Sequence, residues 1–150
     1  MNTKSLVSYG KRTDKSMKTI IRIERIRSKF HNRLVNYLNT FNLTFNQFKV
    51  LEVLYHRGDL NISSITKLTM STPGNITVVV KNLKRDGWIT TISDPEDKRA
   101  SILTITQKGI EVIEKVFPNH AKNLKTSLEV LSDKELDTLY ELLNKVYKAN

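Results

Sequence analysis

The stretch Ser71-Thr72-Pro73-Gly74-Asn75-Ile76-Thr77-Val78-Val79-Val80-Lys81-Asn82-Leu83-Lys84-Arg85-Asp86-Gly87-Trp88 decides how this chain folds. Thr72 is a good helix N-cap and Pro73 a good first helical residue, so a helix is expected to begin there. Ile76, Val79, Val80 and Leu83 recur at helical spacing and predict an inward face. Gly87 predicts its end. Two segments rich in β-branched residues follow, Trp88–Ile92 and Ala100–Ile105, joined by Asp94-Pro95-Glu96-Asp97-Lys98-Arg99. They read as a β-hairpin with a charged tip. A capped helix followed by a charged hairpin is the arrangement with which a winged helix-turn-helix reads duplex DNA, helix in the major groove and hairpin tip toward the minor groove.

Working outward, the segment from Ser16 to Phe41 places Ile20, Ile23, Ile26, Phe30, Leu34, Tyr37 or Leu38, and Phe41 at steps of three and four, predicting a long amphipathic helix. Thr44 with Gln47 matches a capping box for a second helix ending near Gly58. Asp59–Ile62 reads as a short extended piece, and Ser63 as the cap of a short helix carrying Ile65 and Leu68. From Thr106 a long helix carries Ile110, Ile113, Phe117, Ala121, Leu124 and Leu128, with Pro118 expected to bend it or break its hydrogen bonding. Ser132 with Glu135 opens a last helix marked by Leu136, Leu139, Leu143 and Val146. The predicted order is α-α-β-α-α-β-β-α-α, a mainly α chain with a small β-wing. Residues 1–15 are polar and basic and read as a mobile tail.

The 150 residues carry 25 Lys or Arg against 15 Asp or Glu, a net charge of +10 and a pI near 9.8. That balance favours a polyanionic partner. Its distribution is uneven: residues 1–33 hold +8 and residues 71–108 only +2. Charge alone therefore does not make the segment at 71–108 a reading head, because a basic run is commonly just a solvated face. There are no cysteines, which excludes disulfides, thiolate zinc sites and cysteine redox sensing. No apolar run approaches a membrane span, so the expectation is a cytoplasmic chain without a membrane partner. A nucleophile elbow, a phosphate loop and a metal-ligand cluster are all absent, which argues against an enzyme, a bound metal or another cofactor. His120 stands apart in sequence from other metal ligands.

Candidate DNA-contacting residues follow from the chemistry. Ser71, Thr72 and Asn75 exchange hydrogen bonds near a helix N-terminus whose backbone N–H groups attract phosphate. Gly74 lets a backbone approach closely. Thr77 and Val78 offer methyl groups to thymine, and Lys81, Lys84 and Arg85 suit phosphates or bases. At the hairpin tip, one of Lys98 and Arg99 suits a narrow minor groove, with Asp97 available to pair with Arg99 and stiffen it. The bland alternatives are pure capping for Thr72, a solvated face for Lys84 and Arg85, and an ordinary solvated turn for the tip. A winged-helix fold can also serve as a protein-interaction module; Lys81, Lys84 and Arg85 argue against that.

The chain resembles the MarR family of transcriptional regulators. The resemblance is carried by Leu43-Thr44-Phe45-Asn46-Gln47-Phe48, Ser71–Thr77, Leu83–Ile89, Asp97-Lys98-Arg99 and Leu103-Thr104-Ile105-Thr106-Gln107-Lys108-Gly109, and it spans roughly residues 17–148. It implies a single domain over 16–150, with dimerisation helices at about 16–41 and 107–148 and a winged-helix lobe at about 44–105. It further implies a homodimer on a pseudo-palindromic double-stranded operator, usually as a repressor. Asp97 and Arg99 fall on the family's Asp-x-Arg wing motif. Lys98 stands where many members have a first arginine, and its point charge is not a planar fork. The resemblance also implies a small phenolic or lipophilic effector in a cleft between the dimer region and the DNA lobe. His31, Tyr37, Phe41, Tyr55 and His56 are its candidate lining, with core packing or simple exposure as the alternative for each.

Overall fold

In a computed structural model, residues 7–93 and 101–149 are described. The candidate wing residues Asp97, Lys98 and Arg99 lie outside the described residues. The element order is α1 (Lys11–Asn39), α2 (Phe45–Arg57), β1 (Leu60–Asn61), α3 (Ile62–Leu68), α4 (Pro73–Arg85), β2 (Ile89–Ser93), β3 (Ser101–Ile105), α5 (Gln107–Leu128) and α6 (Asp133–Lys148). This is the order read from the sequence.

Local chemistry starts most of these helices. Thr44 and Gln47 form a complete capping box at α2, as do Ser132 and Glu135 at α6. The Thr72 hydroxyl accepts from the Asn75 N–H at the start of α4, and Thr106 accepts from Gly109 at the start of α5. Each such cap satisfies a donor that would otherwise lack a partner. Two expectations need correction. Asn61, not Ser63, caps α3, through its side-chain oxygen and the Ser64 N–H at 2.9 Å; an Asx oxygen one residue before the helix takes the role. The first helix begins at Lys11 rather than Ser16, inside the segment expected to be a mobile tail. Asp14 explains this: its carboxylate accepts from Ser8 Oγ at 2.6 Å and Tyr9 N–H at 2.9 Å, which anchors the first turn. These bonds also hold its pKa below the usual carboxylate value.

Helix ends are equally specific. Gly87, at φ 73°, closes α4 in a Schellman motif, with Trp88 N–H donating to Leu83 O and Gly87 N–H to Lys84 O. The same motif closes α3, but with Met70 at φ 50° in the left-handed position, where a side chain is strained. α5 runs unbroken through Pro118.

β1, β3 and β2 form an antiparallel sheet in that spatial order, with Leu60 opposite Leu103 and Thr91 opposite Leu103 on its other side. Helix α2 lies at the centre of the lobe. Its Phe48, Val50, Leu51 and Leu54 pack with Leu38 of α1, Ile65 of α3, the inward face of α4, Ile89 and Leu103 of the sheet, and Ile113 and Val116 of α5. Burying each such side chain contributes about 1.5–3 kcal/mol. The predicted inward residues Ile76, Val79, Val80 and Leu83 are all buried, and that face outweighs the weak helix propensity of three consecutive valines.

A close approach locks α5 against the sheet. The Thr106 N–H donates to Trp88 O, its hydroxyl donates to Gly87 O at 2.7 Å, and Lys108 Nζ donates to Asp86 O at 2.8 Å. Gly109 then passes directly over Trp88, where a Cβ would collide with the Trp88 carbonyl oxygen and Ile105 Cγ1.

Candidate nucleic-acid interface

Four inward residues fix which way α4 faces. On the opposite side, Gly74, Val78, Lys81 and Arg85 follow at i, i+4, i+7 and i+11 and form one outward stripe, flanked by Thr77, Lys84 and Asn75. All seven are exposed. A Cβ built on Gly74 would meet nothing within 4 Å, so no contact within the chain requires glycine there. The Thr77 hydroxyl donates back to Pro73 O at 2.9 Å. Arg85 Nε rests on Asp86 Oδ1 at 2.9 Å, an exposed pair that raises its pKa through that hydrogen bond and contributes little stability. Thr72 is exposed and acts as the cap.

Ser71 differs from its neighbours. It is half-buried, and its hydroxyl faces Lys49 Nζ at 3.3 Å and Thr69 Oγ1 at 2.9 Å. β2 and β3 pair up to Ser93 opposite Ser101.

A second basic surface lies on α1. Lys11, Lys15, Lys18, Arg22, Arg25 and Lys29 succeed one another at alternating steps of four and three, so they share one face, and all are exposed. The basic excess of residues 1–33 is plain in the sequence, and its alignment on one face follows from the helix starting at Lys11.

The five candidate pocket residues do not come together. His31 alone among them borders the cleft between α1, α2 and the α3–α4 turn, a space of about 450 Å³. Tyr37 instead donates its hydroxyl to Val116 O at 3.3 Å and packs edge-on against Phe41. Tyr55 and His56 sit exposed at the far end of α2, with His56 against Phe117 at 4.6 Å. That end of α2 faces α5. The cleft is bordered by Arg27, Phe30, Leu34, Phe45, Lys49 and His120 besides His31. Burial lowers the pKa of both Lys49 and His120. Among the described residues no three His, Asp or Glu are grouped to hold a metal, and no helix is long and apolar enough to cross a membrane.

The regulator MhqR of Bacillus subtilis (strain 168), an HTH-type transcriptional regulator, is 31% identical over 134 residues, covering 89% of this chain and 92% of that one. The MarR family's sequence profile matches residues 43–101. The chain belongs to the MarR family. Its fold is that of MarR winged-helix structures. A mutant MarR from E. coli complexed with operator DNA aligns at a TM-score of 0.78 and 25% identity, covering 91% of this chain and 99% of that one. NadR in complex with 4-hydroxyphenylacetate aligns at a TM-score of 0.76 over the full length of both chains, at 19% identity, a likeness of fold. MarR-family membership makes this chain a DNA-binding transcriptional regulator.

Proposed function

We propose that this protein is a dimeric, sequence-specific repressor of pseudo-palindromic operators, released by a small lipophilic or phenolic ligand. The outward stripe of α4 carries the reading: small at Gly74, methyl-bearing at Thr77 and Val78, basic at Lys81, Lys84 and Arg85. The MarR neighbour bound to operator DNA supports the same use of the fold. In this reading α4 enters the major groove, Asn75 addresses base edges, and Lys98 or Arg99 probes the flanking minor groove with Asp97 bracing it. Ser71 acts indirectly, through the turn that precedes α4, and Thr72 as the cap.

Dimerisation is supported by apolar surface that the protomer leaves open. No residue of α6 is buried, and Leu136, Leu139, Leu142, Leu143 and Val146 are 36–58% exposed. Met17, Ile20, Ile21, Ile23 and Ile26 on α1 are exposed as well. Such a patch is a common mark of an association surface. The release reading rests on the cleft and on NadR, which holds a phenolic acid.

Footprinting across a genome followed by anisotropy titration tests the reading. Salt-sensitive preference for a native site with half-sites about one helical turn apart is the expected result. No preference over random DNA would end it. Arg99→Ala should weaken binding, and Asn75→Ala should relax specificity at one position, by about 1–3 kcal/mol of base discrimination.

Gly74→Ala separates stability from recognition. Alanine has open space and better helix propensity, so the melting temperature should hold or rise, with up to about 0.5–1 kcal/mol gained. Operator affinity should nonetheless fall by roughly tenfold, the scale of one obstructed base contact. Unchanged affinity in this variant would remove Gly74 from the interface.

A further inference from the structure

We propose that the basic row on α1 is a second, sequence-independent binding surface for duplex DNA, so that a protein seated on its operator through α4 holds another duplex segment on α1. The proposal rests on the DNA-binding reading above and goes beyond it by giving a role to the larger share of the charge: residues 1–33 carry +8, against +2 for residues 71–108.

Lys11, Lys15, Lys18, Arg22, Arg25 and Lys29 share one exposed face of α1. From the first to the last the row spans about 27 Å of helix axis, with one cation for about every 5 Å. Consecutive members are three or four residues apart, and like charges at that spacing repel. Lys11 and Lys15 carry a second penalty. Cations are disfavoured near a helix N-terminus, and α1 has no side-chain cap bond to offset them. Among the described residues the ion pairs are Arg27 with Glu24 and Arg85 with Asp86, so none of the six is paired. Asp14 attracts Lys18, but its oxygens already accept from Ser8 and Tyr9. A face that lowers the stability of its own helix is relieved by an anion brought from outside.

The form of the row selects the anion. A regular line of cations matches a regular line of phosphates, and duplex DNA presents one negative charge for about every 1.7 Å of its axis. A lipid surface would take up the helix's apolar side as well as its cations. Ile23 and Ile26 on that side instead border the groove with α6. Lys15, Lys18 and Arg22 edge the same groove, where long stems lie along apolar surface while the charged ends stay in water. Lys11, Arg25 and Lys29 do not border it. The row is also separate from the reading face. α1 and α4 both pack on α2, and the outward stripe of α4 faces away from the core they share. Leu38 anchors α1 in that core, and along the helix the row begins about 14 Å from it and ends about 40 Å away. The two surfaces therefore seat two duplexes, each without displacing the other.

The test uses the full chain, a short operator duplex in excess carrying one fluorophore, and a random-sequence duplex carrying another. At low salt the unaltered protein should hold both labels in one complex. Capture of the random duplex should fall as salt rises, with a log–log slope of about −4 to −5. Lys11→Gln, Arg25→Gln and Lys29→Gln combined should cut capture at least about tenfold and bring that slope closer to zero by about three. Affinity for the short operator duplex should stay within about twofold, because none of the three lies on α4. Glutamine suits a helix and removes repulsion, so the melting temperature should hold or rise. Each single replacement should change the slope by about one, which reads the row without the combined variant. Lys11→Arg with Lys29→Arg keeps the charge and should keep capture. A merely solvated face would give no capture at any salt, which overturns the proposal, as does capture that the glutamine variant retains. Weaker binding of the glutamine variant to an operator with long flanks, with no second duplex captured, would place the row on flanking DNA and also overturn it. So would binding of the row to phosphatidylglycerol vesicles in place of the random duplex. Failure of the reading proposed for α4 shows separately, as no preference for the operator over random DNA; loss of random-duplex binding in the glutamine variant then still decides the row.

Discussion

If the protein acts as the proposed dimer, Leu139→Glu and Leu143→Glu combined are expected to make it elute as a monomer and lose at least about a hundredfold in operator affinity, toward a non-specific level. The two leucines lie one helical turn apart on α6, a helix with an apolar stripe and no buried residue. Together with α1 they border an open groove that includes Ile23, Ile26, Leu142 and Val146. Leu139 and Leu143 are 38% and 43% exposed in the protomer, so covering each in a dimer contributes roughly 0.6–1.3 kcal/mol, and a charge placed there in both copies reverses that sign. Because neither side chain supports the core of its own lobe, the helical signal in circular dichroism should change little for the winged-helix elements. A variant that remains dimeric and binds operator at full strength would show that α6 is not the association surface.

Gly109→Ala is expected to lower stability by about 3 kcal/mol, near the upper end for an overpacked site, and the melting temperature by roughly 6–12 °C for a chain of this size. The new methyl group would collide with the Trp88 carbonyl, which is backbone and held by the Thr106 N–H. Relief requires α5 to lift from the sheet, opening the bonds from Thr106 to Gly87 and from Lys108 to Asp86. Denaturant melts of Gly109→Ala beside Gly74→Ala make an internal control, since the second glycine has open space where the first has none. Equal stability of the two variants would contradict the close approach.

These two glycines show what the sequence can and cannot convey. Capping pairs such as Thr44 with Gln47 and Ser132 with Glu135 were legible because both partners lie within one turn, so local chemistry decides them. The inward face of α4 was legible for the same reason: its period is set by the helix itself. The cleft was not. Arg27 and Lys49 meet there only because α1 crosses α2 beside the α3–α4 turn, and nothing local to either residue encodes that crossing. Tyr55 and His56 were plausible by residue type yet face away from it. The apolar stripe of α6 was found correctly, but periodicity reports only that a face is apolar, not what covers it. Asn61 displaced Ser63 as a cap because both are competent residue types two positions apart, and pairing of Leu60 and Asn61 with β3 settled the boundary.

The capping of the helices also sets an order of opening. Helices α2 to α6 each begin with a side chain bonded to the first turn, whereas α1 begins at Gly10 with no side-chain cap bond. Exposed along most of its N-terminal half and held there mainly through Asp14, α1 has little to resist fraying from that end. Amide protons should therefore exchange with solvent fastest near Lys11 and progressively more slowly toward the buried Leu38. Protection along this one helix becomes a gradient in time, and a bound partner on its exposed face would flatten it.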